Sequence, residues 1–552
     1  MENGPIIVQG DMTILVEVSH SLYAEVRDQI SPFTELVKSP EHMHTYVISP
    51  LSLWNAASAG HKTQKIIDVL RKYSRYELPF NLVTEVQTLM DRYGKIRLVK
   101  ENNEIILETD DSFLMSGILN NRNTKPYLGK KLSDTRVLLQ PMSRGHLKME
   151  LTRIGFPAED LAGYAEGDKL TFSIRDITLG NKPLKLRHYQ KDSSQVFFAG
   201  GSEKGGSGII VLPCGSGKTV VGMAAMEKCQ CQTLILTTNV VATRQWVQEL
   251  LDKTTLESDQ VGEYNGSNKS IRPVTVATYQ ILTYRKRKTQ EYPHFDLFQK
   301  NKWGLIIYDE VHLLPAPIFR LCADVQATRR LGLTATLIRE DGKETDVFSL
   351  IGPKKFDIPW KILETQGWIA KADCTEIRVS LASSEKITYA MSEPRTQITI
   401  AASNSLKNKL VKELLITHKK DQILIIGQYI AQLEKLAKEI SVPLITGSTP
   451  NNERVKLYKS FREGDMNILM VSKVGNFAID LPDANVLIQI SGTFGSRQEE
   501  AQRLGRLLRP KPNENTAHFY SIVTKETKEQ VFAMNRQLFL TEQGYNYTIK
   551  EW

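Results

Sequence analysis

From residue 208 to the C-terminus the chain repeats one pattern, a short apolar run rich in β-branched residues followed by a segment of helical periodicity. The runs are GIIVLP (208–213), TLILTT (233–238), VTVAT (274–278), WGLIIYDE (303–310) and RRLGLTA (329–335), then QILIIG (422–427), PLITG (443–447), NILMVS (467–472), NVLIQIS (485–491) and AHFYSIV (517–523). A strand without polar alternation is buried on both faces, as in a parallel sheet covered by helices. Helical segments at 240–251, 406–419, 431–440 and 497–509 supply the cover. This alternation predicts doubly wound α/β units. The strands suffice for two sheets, and the break is expected after the helical stretch 364–370, in the polar region 380–407.

The first 180 residues read differently. Residues 1–18 alternate as strands, 22–37 and 50–73 read as helices, and 96–108 reads as a hairpin around 101–103. Residues 111–180 mix strands with a helix near 147–154, punctuated by Gly167-Asp168 and Gly180-Asn181. The expected organisation is α/β overall. A mixed α+β accessory domain spans 1–110, a small mixed accessory region 111–180, and two tandem parallel-sheet domains 181–375 and 376–552. A length of 552 residues lets each bury its own core without disulfides or metals.

Five cysteines fit a reducing compartment rather than a disulfide framework. The start lacks the basic and apolar regions of a signal peptide, and no run approaches the ~20 apolar residues of a membrane span. A cytoplasmic chain with no membrane partner is the expectation. The formal charge of +9 permits a polyanionic partner without specifying one.

The segment VLPCGSGKT joins a strand to a helix. Gly215 and Gly217 let backbone N–H groups of the loop Pro213-Cys214-Gly215-Ser216-Gly217 face a phosphate, and the helix start adds its dipole. Lys218 can reach the β- and γ-phosphates, and the Thr219 hydroxyl can ligate Mg2+. The general pattern asks for glycine where this chain has Leu212.

WGLIIYDEVHLLPA ends a strand on Asp309, Glu310 and His312. Adjacent carboxylates at the carboxyl end of a strand are poorly explained as packing, because ligands of open α/β sheets bind at that edge. Asp309 suits Mg2+, and Glu310 suits orienting or deprotonating a water. Thr334-Ala335-Thr336 follows the next strand and by itself reads as a threonine turn. In SRQEEAQRLGRLLRP (496–510), Arg503, Arg506 and Arg509 recur every third residue, along one helical face with Gln502 beside them. Such a row is usually solvated. Following a second α/β domain, it could also close on a nucleotide held by the first.

Taken in this order, these motifs resemble superfamily 2 helicases, and in detail the XPB family. The supporting strings are LRHYQKDS, VLPCGSGKT, YDEVHLLPA, LGLTATLIRED, VSKVGNFAIDLPDANVLIQIS and EEAQRLGRLLRP. IVQGDMTILVEV, SPEHMHTYVISPLSLWNAASAG and YSRYELP resemble the N-terminal domain of bacterial XPB-type proteins, and GHLKMELTRIGFPAEDLAGY their damage-recognition-like region. The resemblance covers nearly the whole chain. It implies two RecA-like motor domains that hydrolyse ATP with Mg2+ and act on DNA, as a helicase or translocase of 3′→5′ polarity in repair, with a nuclease or other repair protein as partner. It implies that Gln190 reads the adenine, that Arg187 binds the nucleotide, and that Thr334, Ala335 and Thr336 couple nucleotide state to DNA grip. Gly475 and Asp480 would touch nucleotide and DNA, Arg506 and Arg509 would be arginine fingers, and Arg339, Glu340 and Asp341 would belong to strand opening. One departure is the short stretch 380–407, where relatives carry a thumb-like insertion.

Tyr284-Arg285-Lys286-Arg287-Lys288 is the densest basic cluster. Thr278, Arg285 and Arg287 are candidate DNA contacts, although a solvated charged loop explains the cluster equally well. Trp246 reads as core rather than as a base-stacking platform. His42 and His44 have no Cys or paired carboxylates near them, and a metal site is not expected there. The alternatives are a duplex translocase that does not separate strands and an RNA helicase.

Overall fold

The computed structural model describes residues 4–40, 42–213, 215–285, 292–299, 301–315, 318, 322, 325–326, 328–337, 342–472, 484–492, 516–545 and 547–552. The chain divides into two units. One comprises Met1–Glu35, Tyr46–Leu212 and Gly217–Asp357, and the other Leu36–Thr45, Pro213–Ser216 and Ile358–Trp552.

The first unit holds a seven-stranded sheet in the order Val261–Tyr264, Val274–Thr278, Thr233–Thr237, Leu305–Asp309, Arg329–Thr334, Ser207–Val211, Lys354–Asp357. Every pairing is parallel. Leu234, Leu236, Ile306, Tyr308 and Val211 from neighbouring strands share one buried cluster, which explains the unbroken apolar runs. Parallel register brings the carboxyl ends of 207–211, 305–309 and 329–334 to one edge, since Val211 pairs with Thr334 and Asp309 with Leu333.

The second unit holds another seven-stranded sheet, in the order Leu444–Ile445, Ile468–Ser472, Ile423–Gly427, Val486–Gln489, Thr516–Thr524, Lys371–Val379, Tyr547–Glu551. The pairings are again parallel. Strand Lys371–Val379 crosses residue 375 and pairs along its length with Thr516–Thr524. The region 380–407 forms two short helices, Ser383–Met391 and Pro394–Ala402, before the helix Ser405–Thr417. Lys407 is fully buried there, and its Nζ donates to Glu529 Oε2 at 2.7 Å and to Ile490 O at 3.1 Å.

Ahead of the first parallel sheet, Ile6–Val8 pairs antiparallel with Thr13–Glu17. The expected hairpin is Ile96–Glu101 with Glu104–Thr109, turning at Asn102 and Asn103, both at positive φ as a two-residue hairpin loop requires. Its sheet also takes Arg136–Leu139, Leu128–Lys131 and Glu159–Asp160, so it draws strands from both sides of residue 110. Two helices expected from periodicity are corrected. The segment 22–37 is a helix only over Tyr23–Ile30, because a short 3-10 turn carrying Pro32 follows and leads into strand Glu35–Lys38. The segment 50–73 is two helices, Pro50–Ser58 and Thr63–Tyr73, separated at Gly60, whose φ of +87° ends the first.

Candidate active site

At the common strand edge the loop after Ser207–Val211 leads into the helix Lys218–Cys229. Gly217 caps that helix with φ +84°, a backbone conformation that side chains disfavour, and a Cβ there would lie 2.7 Å from Gln190 Nε2. Gln190 is buried on the helix His188–Phe198, and its Oε1 accepts from Arg187 N at 3.0 Å. Arg187 in turn donates to Tyr189 OH at 2.9 Å. Within the loop, the buried Ser216 hydroxyl donates to Pro213 O at 2.6 Å. Thr219 occupies the first turn of the helix, half-buried.

Lys218 Nζ lies 2.8 Å from Glu310 Oε1, both side chains being mostly covered. Glu310 takes a left-handed conformation at φ +50°, rare for a non-glycine residue, at the junction between strand Leu305–Asp309 and the turn Val311–Leu313. Its own N–H donates to Asp309 Oδ1 at 3.1 Å. The other Asp309 oxygen, Oδ2, accepts from Trp246 Nε1 at 2.8 Å. Burial, and then the neighbouring Glu310 carboxylate, push Asp309 up to about 6 against the opposing pull of Lys218 and the indole N–H. A carboxylate whose charge is this poorly compensated is stabilised by a cation placed against it. With the Thr219 hydroxyl, the donors are all hard oxygens, which suit Mg2+.

His312 is buried with Nδ1 2.7 Å from Thr334 Oγ1 and 3.5 Å from Glu310 Oε2. The Thr334 hydroxyl donates to Thr336 O at 2.5 Å. Its one proton is thereby committed, so the contact with His312 requires Nδ1–H as the donor. Ala335 is buried between the two threonines. Lys218, Asp309, Glu310, His312, Thr334 and Thr336 are therefore joined by side-chain and backbone contacts within the first unit, with Gln190 packed against Gly217.

Other candidates are placed elsewhere. Thr278 is buried and its hydroxyl caps the turn Tyr279–Leu282, accepting from Ile281 N at 3.2 Å. Arg285 lies over the Tyr292 ring, 4.9 Å from its centroid. Cys214, Arg287, Arg339, Glu340, Asp341, Gly475, Asp480, Gln502, Arg506 and Arg509 lie outside the described residues.

Trp246 belongs to the core, as its sequence context suggests, and it also holds a carboxylate of the site. A signal for this second role exists in Gly222. A glycine inside a helix costs about 1 kcal/mol against alanine and marks close approach. A Cβ at Gly222 would stand 2.7 Å from Trp246 Cη2.

Comparison with known proteins identifies the family. The family model described as the ERCC3/RAD25/XPB C-terminal helicase matches residues 363–551. The model for the type III restriction enzyme res subunit matches 183–339, and one described as a helicase conserved C-terminal domain matches 6–133. The chain is 50% identical over 550 residues to the DNA 3′-5′ helicase XPB of Kineococcus radiotolerans, covering 100% of this chain and 97% of that one. It is 50% identical over 552 residues to the protein of the same name in Mycobacterium tuberculosis, covering 100% and 98%. It is 30% identical over 603 residues to the general transcription and DNA repair factor IIH helicase/translocase subunit XPB of Schizosaccharomyces pombe, covering 98% and 75%. Identity at this level over the full length of two relatives settles one assignment: the chain belongs to the XPB family of helicases.

Proposed function

We propose that the chain is an ATP-driven DNA helicase or translocase of 3′→5′ polarity that serves DNA repair. The observation that carries this reading is the ion pair of Lys218 with Glu310 beside Asp309, at the strand edge of a chain half identical to named DNA 3′-5′ helicases over its full length. When bound, Mg2+ and ATP bring the cation and the transferable phosphoryl group; the remaining roles fall to the chain. Lys218 moves from Glu310 to the phosphates, and Glu310, released from its ammonium, orients the attacking water and takes its proton. Asp309 and Thr219 would hold Mg2+. The loop 213–217 cradles the phosphates, and Arg187 and Gln190 face the base. His312 ties Glu310 to Thr334, so a change at the carboxylate reaches the Thr334-Ala335-Thr336 turn through two contacts. Arg506 and Arg509 are proposed to stabilise charge on the transferring group, with Gln502 beside them. Gly475 and Asp480 are proposed to touch nucleotide. Arg285, Arg287, Arg339, Glu340 and Asp341 are proposed to meet DNA.

Among the relatives, one is a helicase by name and another a helicase/translocase. A translocase that tracks duplex without parting it is favoured by one feature, the two nine-residue helices that make up the region after Lys371–Val379. Strand displacement on 3′- and 5′-tailed duplexes, run beside triplex displacement on intact duplex, tests both readings. Release of a strand from the 3′-tailed substrate supports the helicase. Triplex displacement alone supports the translocase. ATP turnover that is stimulated by RNA and not by DNA overturns both. No described helix is long and apolar enough to cross a membrane. The proposed location is the cytoplasm, and the proposed partners are DNA and a nuclease or other repair protein.

A further inference from the structure

The indole of Trp246 stands out by where its N–H goes. A buried indole must find an acceptor, and Trp54 and Trp303 of this chain use the backbone carbonyls of Leu89 and Leu297. Trp246, only 2% exposed, donates instead to a side-chain carboxylate, Asp309 Oδ2, at 2.8 Å. Because Glu310 N–H holds Oδ1, each oxygen of Asp309 has one protein donor, and two donors on two oxygens fix the plane of the carboxylate. The strand end is tied as well, since Tyr279 OH donates to Asp309 O at 3.0 Å.

The indole itself has little room to move. Thr243, one helical turn earlier on the same buried face of Val240–Lys253, contacts the Thr237 hydroxyl at 2.8 Å, pinning the helix to strand Thr233–Thr237. On its far side the ring meets Gly222 in the helix Lys218–Cys229, where any Cβ would stand 2.7 Å from Cη2. Trp246 therefore bridges the helix that carries Lys218 and the strand that carries Asp309. The hydrogen bond also favours the ionised form of a carboxylate that burial otherwise disfavours.

We infer that Trp246 is a positioning residue for Mg2+: it orients Asp309 for the cation and keeps the carboxylate at a fixed offset from the helix that carries Lys218. The inference rests on the nucleotide-site reading above. The experiment uses the full chain and a fluorescent ADP analogue, titrated in EDTA and then with Mg2+ at a fixed analogue concentration. Trp246→Phe keeps most of the ring packing and removes the N–H. It is expected to bind the analogue in EDTA within about twofold of wild type and to need roughly tenfold more Mg2+ for half-saturation, the order of one hydrogen bond to a charged group. Gly222→Ala retains the tryptophan but displaces its ring, and is expected to raise the Mg2+ requirement in the same direction. A Mg2+ titration of Trp246→Phe that overlays wild type overturns the inference. So does a variant that loses metal-free and metal-dependent binding alike, because that is the signature of packing alone. If wild type itself fails to bind the analogue, the nucleotide-site reading fails first and takes the inference with it.

Discussion

Asp309→Asn in the ligand-free chain should abolish ATP turnover and raise stability. Burial and Glu310 lift the Asp309 carboxyl from 3.8 to about 6. At ~1.36 kcal/mol per tenfold in proton affinity, that rise corresponds to ~3 kcal/mol by which the folded chain disfavours the charged form. Asp309 keeps part of its solvent access and faces Lys218, so about 2 kcal/mol is the better figure for the neutral amide. The asparagine oxygen still accepts from Trp246, but its NH2 group replaces the oxygen that accepted from Glu310 N–H; losing that hydrogen bond costs about 1 kcal/mol and leaves a net gain of about 1 kcal/mol. A raised carboxyl pKa means that the native state holds its proton more tightly than the unfolded one. Wild-type stability therefore falls as pH climbs through the window between 3.8 and about 6 and stays reduced above it. Scanning calorimetry in EDTA without nucleotide, at pH 7.5, should show the variant melting roughly 2–4 °C higher, at ~2–4 °C per kcal/mol for a unit of this size. At pH 5, where wild type is largely protonated at this position, that gap should close. A variant that melts at or below wild type at pH 7.5, or a gap that does not narrow at pH 5, refutes the electrostatic account of the site.

Lys218→Ala and Glu310→Gln should each nearly abolish DNA-stimulated ATP hydrolysis, measured as phosphate release; wild-type turnover in either removes the pair from the chemistry. Arg506→Ala should lower turnover by on the order of 10³-fold while keeping nucleotide affinity within a few-fold, as expected of a group that acts on the transition state; unchanged turnover removes it from the site. Lys407→Met should destabilise the second unit by about 3–5 kcal/mol, because it leaves Glu529 buried without its ammonium. Urea denaturation followed by limited proteolysis of that unit measures this, and a loss under ~1 kcal/mol contradicts the burial argument.

The two parallel sheets were legible because their central strands are apolar on both faces: Leu305–Asp309 and Ile423–Gly427 could be read as strands from composition alone. Strands at or next to the sheet edges escaped the same reading. Lys354–Asp357 and Tyr547–Glu551 are half-covered and carry charges, and Lys371–Val379 interleaves polar residues with its apolar ones, so none looks like a core strand in isolation. Periodicity overran the true ends of the early helices where Pro32 and Gly60 impose breaks that a window average smooths away. Within the site, Lys218, Asp309 and Glu310 carry their chemistry in their spacing. Trp246 does not, because its meaning depends on a partner 63 residues away along the chain, and only the paired presence of Gly222 hints at the contact.

Thr334 has one more consequence. A hydroxyl can give its proton once, and here the gift goes to Thr336 O. The imidazole of His312 can therefore meet Thr334 only as the neutral form protonated on Nδ1 or as imidazolium; the tautomer protonated on Nε2 alone would set two lone pairs against each other at 2.7 Å. The row of contacts from histidine to threonine to carbonyl thus runs in one direction, like a line of dominoes set to fall one way. Any motion that pulls Thr336 O off the hydroxyl frees that proton to turn toward His312, and the preferred tautomer of the ring changes with it. The backbone position of a single carbonyl is in this way written into which nitrogen of a buried imidazole carries hydrogen, a quantity that nitrogen chemical shifts read directly.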